Sequence, residues 1–349
     1  MSSENQIVAV DLFCGVGGLT YGLTKAGIDV RLGVDLDPVC QFPMEANNAT
    51  TFLEADVAEL MPSDVFAAFG DAKLTLMAGC APCQPFSSYS QSARRETPHE
   101  DWELLSSFSS LVLAVHPTLV TMENVPPLRK QKIFKNFVVA LTDAGYHVDF
   151  AVVDGRNISL PQRRQRLVLV ASTLGPITIP DANKPRVTVR DAIADLPPIT
   201  AGMTDLSDPL HTSSSLSELN LVRIRHSKPG GTWRDWPKEL VSACHTRKTG
   251  ATYPSVYGRM EWDQPAPTIT TQCYGFGNGR FGHPEQDRAI SLREAAMIQS
   301  FPKDYAFIPD GIPINFSTLG RMIGNAVPVV LGEYIGEVLV NHVRSYGYS

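Results

Sequence analysis

The stretch Ile7–Gly18 reads IVAVDLFCGVGG and indicates what kind of fold follows. Ile7–Phe13 is an apolar run of strand length, and the glycines after it open an amphipathic stretch that extends to about Ala26. A buried strand that passes through a glycine-rich turn into a helix is typical of an α/β sheet. Glycines let the backbone approach a ligand closely, and the first N–H groups of a helix are free to bind one.

The rest of the first half repeats this alternation of strands and helices. Such alternation predicts an α/β fold in which helices cover both faces of a mostly parallel sheet. The predicted strands are Asp29–Leu36, Leu74–Gly79, Leu119–Glu123 and Arg166–Ala171, and the predicted helices begin near Pro38 and span about Trp102–His116 and Lys130–Ala144.

The composition changes after about Ser172. Proline, glycine and polar residues accumulate as far as Gly282, which predicts a second, loop-rich domain of short strands and turns. Regular structure should return in a helix over Ser291–Ser300, with a capping box between Ser291 and Glu294, and in a last helix over about Ala326–Val343. We expect one domain from residues 1–175 and 318–349, and a second domain with its hinge from residues 176–317.

Charge is distributed unevenly along the chain. The 349 residues carry a formal net charge of −6, which argues against a uniformly basic nucleic-acid binder. Residues 221–259, however, contain eight Lys or Arg and two acidic residues, so this window is +6 and the rest of the chain is −12. A basic surface on an acidic body fits a localised contact with a polyanion.

The N-terminus lacks a basic stretch followed by an apolar run, so no signal peptide is predicted. No apolar segment is expected to reach the length that spans a bilayer. The six cysteines are typical of reduced thiols rather than of a disulfide framework. These features predict a cytoplasmic protein without a membrane segment.

Two carboxylates complete a candidate cofactor site beside the glycine-rich turn. Asp35 ends the second predicted strand about 20 residues after Gly15, where a carboxylate can hold ribose hydroxyls. Asp56 follows a third strand-like segment and can accept a hydrogen bond from an adenine amino group. Thr20 stands where the dinucleotide fingerprint requires its third glycine, so an adenosyl cofactor without a pyrophosphate fits better. A tight structural turn is the alternative interpretation of the glycines.

The segment Gly79–Ser87, GCAPCQPFS, carries the strongest candidate for a reactive group. A buried strand leads into a loop in which Pro82 and Pro85 restrict the backbone around Cys83. Cys80 and Cys83 have the spacing of half a zinc site, but no second Cys/His pair at metal spacing follows, and a redox pair would belong at a helix start. A lone reactive thiol is the preferred interpretation, with zinc and redox roles as alternatives.

A reactive thiol of this kind needs an acidic partner. Met122–Pro126, MENVP, ends an apolar strand and should present Glu123 and Asn124 at the same sheet edge as Cys83. Glu123 is therefore a candidate proton donor, although a lone carboxylate after a strand is more often a cap or a surface charge.

The basic segment Gln162–Arg166, QRRQR, precedes the strand predicted at Arg166–Ala171. Gln162, Arg164 and Arg166 alternate, so in an extended segment they share one face. Such a face can hold a base or a phosphate, and a solvated basic run is the alternative interpretation.

Taken together, these segments resemble the cytosine-5 DNA methyltransferase family of bacteria and phages. The departures are mild, because Ala81 stands where proline is commoner and Cys14 where alanine is common, and neither removes a functional group. The matching blocks, in the family's order, are DLFCGVGG, Asp35, Asp56, GCAPCQPFS, MENVP, QRRQR, REAAMIQSFP (Arg293–Pro302) and GNAVP (Gly324–Pro328).

The resemblance implies a Rossmann-like domain that binds S-adenosyl-L-methionine, a small loop-rich target-recognition domain, and no metal. It implies that Cys83 attacks carbon 6 of a flipped-out cytosine and that Glu123 acts at ring N3. The other expected catalytic residues are Pro82, Asn124, Gln162, Arg164 and Arg166, of which the two arginines would hold the base and the flanking backbone. The expected cofactor-binding residues are Phe13, Gly15, Gly17, Gly18, Asp35, Leu36, Asp56, Val57, Asn325 and Val327.

The resemblance also implies that the second domain contacts double-stranded DNA and selects a short sequence. Trp233 and Trp236 are interpreted as core of that domain rather than as intercalating wedges. A monomer suffices, and a cognate restriction or defence protein is a further expected partner. The phosphate-contact candidates are Arg223, Arg225, Lys228, Arg247 and Lys248.

Two other functions remain open at this point. An RNA cytosine methyltransferase would use the same chemistry, but the long basic second domain favours DNA. A catalytically idle DNA-binding relative is the second alternative, and the intact set of Cys83, Glu123 and Arg164 argues against it.

Overall fold

The computed structural model describes residues 6–81, 100–247 and 252–348. The chain forms two compact units: Met1–Ile158, Gln165–Lys184 and Val327–Ser349 make up the first, and Ser159–Arg164 and Pro185–Ala326 the second. The second unit thus starts and ends later than the expected 176–317, and it also takes in residues 159–164.

The first unit is built on a sheet of seven strands. They are β1 Ile7–Leu12, β2 Asp29–Asp35, β3 Thr51–Glu54, β4 Leu74–Gly79, β5 Leu119–Asn124, β6 His147–Asp154 and β7 Gln165–Ser172. Their order in the sheet is β3-β2-β1-β4-β5-β7-β6. Strands β1 to β5 run parallel, whereas β7 pairs antiparallel with both β5 and β6. The prediction of a mostly parallel α/β sheet is confirmed.

Helices connect the strands of the first unit and form most of the regular structure of the second. In chain order they are α1 Gly18–Lys25, α2 Gln41–Asn47, α3 Pro62–Phe69, α4 Glu100–Val115, α5 Lys132–Asp143, then α6 Val189–Ile193, α7 Glu218–His226, α8 Leu292–Ile298 and α9 Phe316–Asn325 in the second unit, and finally α10 Val329–Ser345.

The chain reverses its direction across the sheet after β3. Strands β2 and β3 are added on one side of β1, and β4 and β5 on the other. Because βαβ crossovers are right-handed, this reversal places α1 and α2 on one face of the sheet and α3 and α4 on the other. The carboxyl ends of β1 and β4 flank the reversal point, which is where open α/β sheets bind their ligands.

Strand β6 and helices α3, α6, α7 and α9 were absent from the sequence-based prediction. Strand β6 lies at the sheet edge and is mostly half-buried, so its sequence lacks a continuous apolar run. Helix α9 contains Gly320 and Gly324, which lower helix propensity. A Cβ on Gly324 would lie 2.3 Å from the backbone of Thr270, so these glycines allow a close approach within the second unit.

The second unit has its own core and little sheet. Among its described residues the only β pairing consists of isolated bridges, so the prediction of short strands is wrong, while the prediction of a loop-rich unit is confirmed. Trp233 and Trp236 are buried in an apolar cluster with Ile224 and Phe276, as predicted. The capping box of Ser291 and Glu294 at the start of α8 is also confirmed.

One stretch of the described chain is long and apolar enough to cross a membrane by length and composition, namely Phe316–Ser345, which comprises α9 and α10. The prediction that no apolar segment reaches this length is therefore wrong. Of its most apolar window, 78% is buried inside the protein, as expected for core helices. Pro328 also separates the two helices.

Helix α1 packs against α10 within the first unit through glycines. A Cβ on Gly22 would lie 2.3 Å from the carbonyl oxygen of Val329 and 2.5 Å from the backbone nitrogen of Glu333. Backbone atoms cannot rotate away as a side chain can, so any larger residue must separate the helices.

We predict that Gly22→Ala lowers the free energy of unfolding by about 2 kcal/mol, because overpacking outweighs the gain of about 1 kcal/mol from replacing a helical glycine. Urea denaturation followed by circular dichroism measures the change. Thr24→Ala, on the exposed side of the same helix, is the control and should change stability little. Equal or greater stability of Gly22→Ala would contradict the close approach.

Candidate functional site

The parallel register brings the ends of four strands to one edge of the sheet. Leu12 at the end of β1 pairs with Val34 of β2 and with Gly79 of β4, and Gly79 in turn pairs with Met122 of β5. The residues that follow these positions therefore emerge side by side. They include the glycine-rich turn, Asp35, Cys80 and Glu123.

The glycine-rich turn has an unusual backbone conformation. Phe13, Gly15 and Gly17 have φ of 59°, 52° and 83°, and Gly17 caps the start of α1, whose first residue is Gly18. A left-handed conformation is strained for most side chains, which explains the glycines at 15 and 17. A Cβ on Gly15 would meet no atom within 4 Å, so the space over this turn is open in the first unit.

Asp35 fixes the turn from the end of the next strand. Its Oδ2 accepts a hydrogen bond from the backbone N–H of Gly15 at 2.8 Å, and its Oδ1 accepts one from the N–H of Asp37 at 3.0 Å. Burial raises the pKa of Asp35 above its ordinary value, and these N–H donors oppose the shift. The carboxylate is thus held beside the open turn.

Further cofactor candidates lie at the same edge. Leu36 exposes 65% of its surface directly after Asp35, which leaves an apolar side chain free to cover a flat ring. Asp56 follows β3, and its Oδ1 accepts the N–H of Ala58 at 2.8 Å, whereas Val57 is buried in the core of the first unit. The Val57 side chain therefore packs into the core rather than facing the sheet edge.

Asn325 and Val327, also expected at the cofactor, differ in their surroundings. Val327 is buried and begins the last segment of the first unit. Asn325 is exposed, ends α9 and belongs to the second unit.

Beneath the turn lies a buried carboxyl group that the sequence analysis did not single out. Asp11 is fully buried in β1, and its Oδ2 accepts a hydrogen bond from the Thr20 hydroxyl at 2.7 Å. Within the described residues its Oδ1 has no hydrogen-bond partner. Burial raises the pKa of Asp11 to about 7.

Glu123 lies between two side chains of the first unit. It is 3% exposed, Arg166 Nε lies 2.6 Å from its Oε1, and the Cys80 thiol donates to its Oε2 at 2.8 Å. Burial and the neighbouring carboxylate raise the pKa of the Cys80 thiol well above its ordinary value, so the thiol stays protonated. Sequence analysis placed Glu123 at this edge but did not anticipate either contact.

The segment that carries the expected nucleophile begins at this point. The Asn124 side-chain amide donates to the carbonyl oxygen of Ala81 at 2.9 Å and its Oδ1 accepts the N–H of Val125. Pro82 and Cys83 lie outside the described residues. Asn124 therefore anchors the last described residue before them.

Gln162 and Arg164 are buried in the second unit, whereas Arg166 belongs to the first. The Gln162 amide donates to Gln299 Oε1 at 2.8 Å and accepts the N–H of Ile269 at 2.9 Å. Arg164 donates to the carbonyl oxygen of Ile269 at 3.1 Å. Both side chains thus hold backbone of their own unit.

The basic window of residues 221–259 is only partly available to a ligand. Arg223 donates to the carbonyl oxygen of Leu240 and to Ser242 Oγ, and its guanidinium lies over the Trp236 ring. Its guanidinium is therefore engaged in contacts within the second unit. Arg259 is buried and donates to several carbonyl groups there.

The exposed phosphate candidates are fewer than the sequence predicted. Arg225 is exposed but lies 3.4 Å from Asp287, while Lys228 and Arg247 are exposed. Lys248 lies outside the described residues.

In the described ranges, no group of three or more His, Cys, Asp or Glu could hold a metal ion.

An open α/β sheet with a glycine-rich turn, an acidic second strand end and a buried carboxylate at its carboxyl edge is typical of enzymes that bind a nucleotide cofactor. Comparison with known proteins specifies the class. The model of the C-5 cytosine-specific DNA methylase family matches residues 7–341. The chain belongs to this family and is a cytosine-5 DNA methyltransferase.

Individual relatives agree with this assignment. The chain is similar to the type II methylase M.HgiDII of Herpetosiphon aurantiacus, with 49% identity over 334 residues that cover 94% of this chain and 93% of the relative. It is 31% identical to the type II methyltransferase M1.BsuMI of Bacillus subtilis (strain 168), covering 93% of this chain and 78% of the relative. The fold resembles that of the Entamoeba histolytica methyltransferase EhMeth, with a TM-score of 0.67, 14% identity, and coverage of 97% and 99%.

The raised pKa of Asp11 leads to a prediction on stability. At pH values between its ordinary pKa of 3.8 and its folded pKa of about 7, Asp11 is ionised in the unfolded chain and neutral in the folded chain. Its contribution to stability is therefore complete below pH 3.8 and is lost as the pH rises through about 7, by up to about 4 kcal/mol.

We predict that Asp11→Asn, which cannot ionise and still accepts from Thr20, gains stability relative to the wild type as the pH rises from 5 to 8. Thermal unfolding of both proteins at each pH measures the difference. Asp71→Asn, at an exposed turn, is the control and should show a constant difference. A pH-independent difference for Asp11→Asn would contradict the burial of a neutral carboxyl group.

Proposed function

We propose that this DNA methyltransferase flips one cytosine of a short specific sequence out of the duplex and methylates its carbon 5 through a covalent bond between Cys83 and carbon 6. The observation that carries the proposal is the buried Glu123, held by Arg166 and Cys80 at the carboxyl edge of the sheet, while the following residue, Asn124, donates to the carbonyl oxygen of Ala81. A buried carboxylate kept in position by its own partners suits proton transfer at a bound ring.

The chemistry of cytosine explains why both residues are needed. Carbon 5 is a poor nucleophile until a thiolate adds to carbon 6 and creates an enamine. Glu123 would hold a proton at ring N3 and so stabilise the negative charge that this addition places on the ring. After carbon 5 gains the methyl group, loss of its proton and release of the Cys83 thiolate restore the ring.

The residues around the glycine-rich turn fit S-adenosyl-L-methionine. The open turn at Gly15 and the start of α1, which has no side-chain cap, offer backbone N–H groups. The Asp35 carboxylate offers an acceptor for ribose hydroxyls, and the exposed Leu36 offers an apolar cover for adenine. Phe13, Gly17, Gly18, Asp56, Val57 and Val327 would complete the binding residues, and for Asn325 the resemblance alone supports a role. The bound cofactor supplies an activated methyl group.

The second unit is proposed to contact DNA and select the target sequence. Lys228, Arg225 and Arg247 are exposed in its basic window and suit phosphate contacts. Arg164 and Gln162, engaged with backbone groups of the second unit, support its structure in addition to any contact with the base. Arg166 would act through its ion pair with Glu123.

The relatives named as type II enzymes support a role in restriction and modification, with a cognate nuclease as partner. The protein would then act where the DNA of the cell is, in the cytoplasm of a bacterium. Methylation of RNA remains the second candidate, since it requires the same thiol and carboxylate.

Bisulfite sequencing of DNA from a methylation-free bacterial host that expresses this chain tests the proposal. We predict modified cytosines within one short motif, and none in a host that expresses Cys83→Ala, because the ring cannot be activated without the thiolate. The Cys83→Ala protein should bind the motif with a Kd close to that of the wild type. Modification by Cys83→Ala, or modified RNA with unmodified DNA, would refute the proposal.

The role of Glu123 is tested by Glu123→Gln under single-turnover conditions. We predict a rate at least about 100-fold lower, since a neutral amide removes the proton donor, with unchanged cofactor binding. The exposed Glu59→Gln serves as the control and should retain the wild-type rate. A wild-type rate for Glu123→Gln would exclude its assigned role.

The cofactor assignment is tested by Asp35→Ala, measured by calorimetric titration with S-adenosyl-L-methionine. We predict a Kd about tenfold higher or more, because the ribose acceptor is lost together with the hydrogen bond that positions Gly15. Asp29→Ala, at the opposite end of β2, is the matched control and should leave the Kd unchanged.

A further inference from the structure

Cys80 is the first residue after β4 and lies beside Glu123 because of the strand register. Gly79 pairs with Met122 in the parallel pairing of β4 and β5, so the next residue of each chain segment points the same way. The N–H of Cys80 also continues the ladder by donating to the carbonyl oxygen of Leu12 at 3.2 Å. The backbone thus fixes the Cys80 side chain against the carboxylate.

The contact is a directed hydrogen bond between a neutral donor and a buried acceptor. Cys80 Sγ lies 2.8 Å from Glu123 Oε2, while Arg166 Nε lies 2.6 Å from Oε1. The two carboxylate oxygens are therefore occupied from different sides, one by a cation and one by a thiol. The ion pair at Oε1 and the hydrogen bond at Oε2 together restrict the rotation of the carboxylate.

We propose that Cys80 is a positioning residue for the methyl-transfer reaction, whose thiol orients Oε2 of Glu123 for its contact with the target cytosine. The inference rests on the proposed function of Glu123. Cys80 would act through Glu123 and would not itself contact the base.

The pairing of one charged and one neutral partner on Glu123 has a physical reason. An arginine that releases a buried carboxylate leaves an uncompensated charge, which is costly. A thiol is a neutral donor, so it leaves no uncompensated charge when the base takes its place at Oε2. Oε2 is therefore the oxygen that is held in the free enzyme and made available when the base arrives.

A role in packing must be distinguished from a role in donation. Alanine and serine are both smaller than cysteine, and they are close to each other in volume, but only serine can donate to Glu123. A packing role predicts that both variants behave alike. A positioning role predicts that serine preserves the reaction and alanine does not.

The test compares Cys80→Ala and Cys80→Ser in single-turnover methyl transfer to a duplex that carries the motif found by bisulfite sequencing. We expect a rate about tenfold lower for Cys80→Ala and within about twofold of the wild type for Cys80→Ser, with the Kd for duplex and for S-adenosyl-L-methionine unchanged in both. Cys244→Ala, which removes an exposed thiol of the second unit, is the control and should match the wild type.

Equal rates for the alanine and serine variants, whether slow or fast, would overturn the inference, as would a loss confined to the Kd. If methyl transfer is slow in Glu123→Gln but fast in Cys80→Ala, the inference about Cys80 fails and the proposed function stands. If Glu123→Gln matches the wild type, or the wild type transfers no methyl group to DNA, the proposed function fails and the inference fails with it.

Discussion

The parallel register of β1, β2, β4 and β5 is the constraint on which the candidate site depends. It brings Asp35, Cys80 and Glu123 to one edge of the sheet although they are far apart in the sequence. Side chains alternate between the faces of a strand, so a slip of one residue would turn Glu123 away from Cys80 and from the edge. All residues of β1 and β5 are buried, so a slip would separate the buried polar groups Asp11 and Glu123 from their partners, which makes it costly.

Buried charge at this edge is balanced by local partners rather than by water. Glu123 has Arg166 and the Cys80 thiol, and Asp35 accepts two backbone N–H groups, whereas burial favours the neutral form of Asp11. The second unit shows the same principle in the fully buried pair of Arg288 and Glu294. Such pairs contribute more to fixed geometry than to net stability, because desolvation opposes their attraction.

The sequence predicted the sheet and its edge better than it predicted individual side-chain contacts. Apolar runs and glycines are local signals, so β1, β4 and the turn before α1 were located to within a residue or two. Strand β6 was missed because an edge strand needs no continuous apolar run. The hydrogen bonds of Arg223 and Arg259 within the second unit were missed because the charge of a residue does not reveal its partners. The Cys80 contact follows from the pairing of β4 with β5, which the sequence does not display.

The most direct test of the central claim is to trap the covalent intermediate. A duplex that carries the target motif with 5-fluorocytosine at the modified position cannot lose its carbon 5 substituent as a proton, so the thiol stays attached after methyl transfer. Mass spectrometry of the digested complex should find the base and one added methyl group on Cys83, and no adduct with Cys83→Ala. Attachment at Cys80, or methyl transfer without any covalent complex, would contradict the account.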